Sequence, residues 1–106
     1  MHVTVTTTKG SPDQPIEIAR IAGEEMLPWL RGIEGFEGML VLSDDTTAAT
    51  VVVTFWKSRE LADEHLAARA EFRDRVTSTV EVRVEDVSDY ELMLAEWPTR
   101  GRADGR

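Results

Sequence analysis

At 106 residues, 42% hydrophobic and 30% charged, the chain is the size of one globular domain with a single modest core, and its composition is not that of a disordered segment. Twelve basic against twenty acidic residues leave a net charge of −8, which repels phosphate backbones and anionic lipid and argues against nucleic-acid and membrane partners. There is no cysteine, so disulfides, thiolate chemistry and Cys-ligated metal are excluded.

The N-terminal stretch Met1–Thr6 lacks the basic region and apolar run of a signal peptide. No apolar run approaches the ~18 residues of a membrane span, so a cytoplasmic location is expected. His2 to Lys9 alternates, with Val3, Val5 and Thr7 on one face and His2, Thr4, Thr6 and Thr8 on the other. Dense β-branching at period two predicts a strand. Gly10-Ser11-Pro12-Asp13 supplies turn chemistry, with Asp13 as helix N-cap and Pro15 in the first turn.

From Ile16 the period changes. Ile18, Ala22, Met26, Trp29 and Ile33 recur every three to four residues, flanked by Ile21 and Leu30, as in an amphipathic helix. Pro28 cannot donate to Glu24 and its ring crowds that carbonyl, so a kink or an early end is expected there. Gly32 and Gly35 close the helix.

Gly35 to Leu42 reads as the second strand and Ala48 to Trp56 as the third, joined by Ser43–Thr47 in an antiparallel hairpin. The third strand is apolar on both faces: Val51, Val53 and Phe55 on one, Val52 and Trp56 with Thr50 and Thr54 on the other. That makes it central. Ser58 caps the next helix, with Glu60 in its first turn. Leu61, His65, Ala68, Phe72 and Val76 form its apolar stripe, while Arg59, Asp63, Arg69, Arg73 and Asp74 fall largely off it. Thr79 to Val87 alternates again as a fourth strand, and a short apolar piece follows at Tyr90–Leu94. Residues 1–97 then form the domain, and 98–106, Gly- and Arg-rich, a flexible tail.

The order β-α-β-β-α-β predicts an α+β, ferredoxin-like domain: a four-stranded antiparallel sheet with two helices on one face. The other face keeps either Val52 and Trp56 or Val51, Val53 and Phe55. Leaving such side chains in water forgoes about 1.5–3 kcal/mol each. A homodimer, packed sheet to sheet, is the expected solution, with Tyr90–Leu94 crossing to the partner.

Three pieces, Gly35-Phe36-Glu37-Gly38, Phe55-Trp56-Lys57-Ser58 and Ala62-Asp63-Glu64-His65-Leu66, resemble the antibiotic biosynthesis monooxygenase (ABM-like) superfamily of dimeric α/β barrels. The resemblance covers roughly residues 1–95. It implies a cofactor-independent monooxygenase that oxidises an aromatic or quinol-type small molecule. The same fold also admits a non-catalytic binding or accessory protein, or a polyketide cyclase or isomerase. Two positions depart from the family's best-understood chemistries. The polyketide oxygenases carry an Asn four residues before the strand-end Trp, where this chain has Val52. The haem degraders need an Asn on the first strand and a His about nineteen residues after that Trp. This chain has no asparagine, and the later position is Arg75.

Candidate catalytic residues are Trp56, whose ring could stack on a flat substrate, and His65, whose neutral imidazole could accept a phenolic proton near working pH. Both also suit plain structural roles, Trp56 as a core or interface aromatic and His65 as a half-buried helical histidine. Trp29, Phe36 and Phe72 would wall an apolar pocket between helices and sheet, with Val52, Thr54 and Thr6 on the sheet side as further substrate-binding candidates. His2, near the start of a strand, carries little weight. No phosphate-binding loop, nucleophile elbow, paired-carboxylate motif or metal-ligand spacing is present, so neither cofactor nor metal is expected.

Overall fold

The computed structural model describes residues 1–10, 14–44, 46–80 and 82–97. The turn 11–13 with the cap expected at Asp13, the hairpin residue Asp45, Glu81 and the tail 98–106 lie outside them. Strands β1 (His2–Lys9), β2 (Phe36–Asp44), β3 (Ala49–Trp56) and β4 (Arg83–Glu91) form one antiparallel sheet in the order β2-β3-β1-β4. Helices α1 (Gln14–Ile21), α2 (Leu27–Arg31), α3 (Arg59–Glu64) and α4 (Leu66–Thr79) lie on one face of it, the ferredoxin-like arrangement. No helix among the described residues is long and apolar enough to cross a membrane.

Register decides which face the helices cover. Thr4 pairs with Thr54, Thr6 with Val52 and His2 with Trp56, so these side chains share a face. Val52 sits in a core cluster with Ile18, Ile21, Val76 and Val80, and Trp56 in another with Leu30 and Ala62. Met26 and Met39 pack against both. The covered face is therefore the one holding the largest side chain, Trp56, which is fully buried. Val5, Val51 and Val53 point the other way and stay half-buried, next to the exposed Leu40 and Leu42. Trp97 reaches this open face and meets Phe55 edge-on, with 5.6 Å between ring centroids.

Three places depart from regular geometry. The kink expected at Pro28 is a five-residue π-helical stretch, Ala22–Met26, between α1 and α2. The Leu27 N–H bonds the Ala22 carbonyl five residues back, and the wider turn relieves the crowding that Pro28 would impose on an α-helix. The second helix is broken at His65, whose backbone (φ −114°, ψ 21°) separates α3 from α4. Its start is as expected: the Ser58 hydroxyl accepts from the Leu61 N–H at 3.2 Å.

The fourth strand runs four residues later than its alternation suggests, and Thr79 belongs to α4. Tyr90 pairs with Val3 inside β4, so Tyr90–Leu94 is not a separate strand. The β1–β4 register shifts between Thr7, opposite Asp86, and Thr8, opposite Val84, which leaves Glu85 as the extra residue of a bulge. The sequence trace of that bulge is the slip in alternation between Val84 and Val87.

Candidate functional site

The cavity lies between the helices and the covered sheet face, and each wall follows from a local pattern. From β1, period-two alternation turns Thr4, Thr6 and Thr8 inward, and Val52 and Thr54 of β3 stand beside them. The π-helical turn and α2 contribute Met26, Trp29 and Leu30; α1 contributes Ile18. From α4 come Arg69, Phe72, Arg73, Val76 and Thr77, the i, i+3, i+4, i+7, i+8 face of a helix. Arg69 and Arg73 stand three residues before Phe72 and Val76 and so share their side of the helix. Ala68, expected on the stripe, is exposed, and Arg69 and Arg73, expected off it, are half-buried in the wall.

Trp29 and Phe72 stack with centroids 4.7 Å apart, joining α2 to α4 across the cavity, and the Arg75 guanidinium caps Phe72 at 4.8 Å. The enclosed space is about 70 Å³. That is less than the roughly 150 Å³ of a cavity that holds benzene.

A connected polar group borders one end. The Asp89 carboxylate accepts from the Thr4 hydroxyl at 2.8 Å and pairs with His2 Nε2 at 2.9 Å. The Arg69 guanidinium donates to Thr4 Oγ1 at 3.0 Å and to the Ala62 carbonyl at 2.8 Å, and it lies 4.4 Å above the Trp56 ring. Trp56 in turn donates its indole N–H to Thr54 Oγ1 at 3.0 Å. Burial works against the charged form of Asp89, but the hydrogen bonds from Thr4 and His2 and the charges of His2 and Arg69 outweigh it and hold the carboxyl below its ordinary range. For Arg69, burial lowers the pKa and the Arg73 charge adds to that; the carboxylates of Asp89 and Asp63 pull the other way.

Of the residues singled out in the sequence, Trp29, Phe72, Val52, Thr54 and Thr6 line the cavity. Trp56 and Phe36 lie behind the wall, packed edge to face at 5.6 Å, and Arg69 occupies the Trp56 ring face. His65 sits half-exposed at the helix junction, away from the cavity wall. His2, little regarded in the sequence, is 4% exposed and tied to Asp89. Asp89 and Arg69 escaped notice because their partners are 85 and 65 residues away. The inward alternation of β1 was the one available pointer, since it places His2 beside Thr4.

No protein-family model and no curated protein matches the chain. Solved structures do. A monooxygenase from the gene ActVA-Orf6 of Streptomyces coelicolor, in complex with the ligand Nanaomycin D, superposes with a TM-score of 0.73 at 19% identity, covering 92% of each chain. A Deinococcus radiodurans protein assigned to the antibiotic biosynthesis monooxygenases gives 0.70 at 16% identity, over 93% of this chain and 99% of its own. SnoaB, a cofactor-independent oxygenase from Streptomyces nogalater solved as a point mutant, gives 0.60 at 14% identity, over 89% and 95%. The chain has the antibiotic biosynthesis monooxygenase fold. Within this ABM-like fold, the residue four before the strand-end Trp56 is the buried Val52, and it lines the cavity.

Proposed function

We propose that the protein is a cofactor-independent monooxygenase of the ABM type, acting on an aromatic or quinol-type small molecule. The observation that carries this reading is the cavity: apolar, walled by the stacked Trp29 and Phe72, with threonine hydroxyls and two guanidinium groups along one side. A methylene flanked by aromatic rings, once deprotonated, can give electrons to oxygen directly. An anthrone methylene plus O₂ yields a quinone carbonyl plus water, a balance that needs no external reductant. The protein supplies desolvation and positioning. In this reading Trp29 and Phe72 are the platform, Thr6, Val52 and Thr54 contact the substrate, and Trp56 supports Arg69 from behind. His65 is not among the residues lining the cavity, and this reading gives it no part in the proton transfer.

The test is oxygen uptake with a panel of anthrones and hydroquinones. A rate above buffer that falls at least tenfold in Phe72→Ala is expected; no substrate consumed faster than in buffer refutes the oxygenase reading. The apolar Val52 favours a second reading, a small-molecule-binding protein without turnover. Saturable binding of the same panel with no oxygen uptake selects it.

The active form is proposed to be a homodimer through the open sheet face, where Leu40 (40% exposed) and Leu42 (51%) border the half-buried Val53 and Val51 and Tyr90 (56%) pairs with Val3. Light scattering after size exclusion should give twice the chain mass, and Leu42→Lys should give the monomer. A wild-type monomer at micromolar concentration overturns this assembly.

A further inference from the structure

The charge inside the cavity is opposite to that of the protein. The chain carries eight more acidic than basic residues, yet the charged residues lining the cavity are Arg69 and Arg73, with no Asp or Glu among the described residues of the wall. Both sit on α4, one turn apart, close enough for the charge of Arg73 to help lower the pKa of Arg69.

The two guanidiniums differ in what they touch. Arg69 is occupied by the Ala62 carbonyl, Thr4 and the Trp56 ring. Arg73 has a buried Nε–H with no hydrogen-bond partner. Its paired carboxylate, Asp74 Oδ1, is 3.9 Å from Nε, beyond hydrogen-bond reach, on a side chain 73% exposed to water. The Arg73 side chain as a whole is 28% exposed, but its Nε–H is buried; a buried donor left unsatisfied is costly, and a like-charged neighbour increases the cost. An ionised oxygen inside the cavity relieves both at once.

We infer that the cavity selects an aromatic anion, a ring-bearing carboxylate or phenolate whose ionised oxygen accepts from Arg73 Nε while its ring lies against Trp29 and Phe72. This deepens the small-molecule reading above and rests on it, but it does not depend on oxygenase chemistry. Arg69, pinned by Thr4 and backed by Trp56, adds its field without being free to move. A neutral isostere can offer Arg73 Nε a carbonyl oxygen but no negative charge, so the preference for the charged ligand measures the charge-assisted part of this one contact. The overall negative charge disfavours polyanions more than singly charged ligands.

The probes are naphthalene-2-carboxylate and its neutral isostere naphthalene-2-carboxamide, titrated calorimetrically at pH 7.5 into wild type, Arg73→Leu and Arg73→Lys. Wild type should bind the carboxylate about tenfold or more tightly than the amide. Arg73→Leu should lose that preference while keeping the amide affinity, and Arg73→Lys should retain part of it. Because Arg73 Nε donates to nothing in the free protein, Arg73→Leu should melt no lower than wild type, which separates a binding loss from unfolding. Equal binding of acid and amide by wild type, or a preference that survives Arg73→Leu, overturns the anion inference and leaves the apolar pocket standing. Failure of both probes to bind wild type overturns the inference and the pocket reading together. Replacing the acid by 2-naphthol across its own titration then distinguishes a carboxylate ligand from a phenolate.

Discussion

Gly35 joins α2 to β2 at φ 93°, and a Cβ placed on it would lie 2.7 Å from the Leu61 Cβ and 2.8 Å from its Cδ1. Gly35→Ala therefore has two costs. Holding an L side chain in the left-handed region costs roughly 1–2 kcal/mol. Pushing α3 away from the sheet costs roughly 1–3 kcal/mol more, the usual range for overpacking. The sum, about 2–5 kcal/mol, is a large part of the 5–15 kcal/mol typical of a domain. It corresponds to a fall in melting temperature on the order of 10–30 °C. Urea denaturation of wild type, Gly35→Ala, Leu61→Ala and the double variant measures it and apportions it. Trimming Leu61 to alanine removes the 2.8 Å contact but keeps the Cβ at 2.7 Å, which is fixed to the α3 backbone, so the double variant should recover only a minor part. A Gly35→Ala cost below about 0.5 kcal/mol would refute the close approach. Full rescue by Leu61→Ala would place the strain in a movable side chain instead of the helix backbone.

Ala48 turns the hairpin at φ 60°, so Ala48→Gly should stabilise the fold by about 1 kcal/mol in urea titration, and a loss of stability would contradict the backbone assignment. Thr54→Val keeps the shape of the side chain but orphans the fully buried Trp56 indole N–H. A loss of about 1–3 kcal/mol is expected, read by denaturation followed through tryptophan emission, whereas a neutral result would show that the bond contributes nothing. The carboxyl of Asp89 is held below its ordinary value, so its contribution is fully present above the unfolded pKa of about 3.9 and is lost as pH falls through the lower folded value. The stability difference between wild type and Asp89→Asn should accordingly stay constant above about pH 5 and shrink below about pH 4. A difference that grows on acidification would reverse the sign and the reasoning with it.

What could be read from the sequence was whatever depends on local periodicity. Alternation at His2–Lys9 and Ala48–Trp56, and the 3.6-residue stripe from Ile18 to Ile33, were enough for the element order, and the order for the ferredoxin-like sheet. The doubly apolar third strand marked it as central, and it does pair on both sides. The errors came where a local pattern was continued across an irregularity. Past the break at His65, α4 presents Arg69, Phe72, Arg73 and Val76 to the cavity instead of the stripe through Ala68, while the bulge at Glu85 carries the strand pairing on to Asp89 and Glu91.

The sequence by itself determined the fold and the aromatic lining of a pocket, because a repeating pattern is recorded in neighbouring residues. Only the tertiary structure decided which sheet face is covered and which charged groups meet there. His2, Thr4, Arg69 and Asp89 converge through strand register and helix phase, and both are long-range quantities: one residue of slip turns a strand's side chains to the opposite face and a helix's by about 100°.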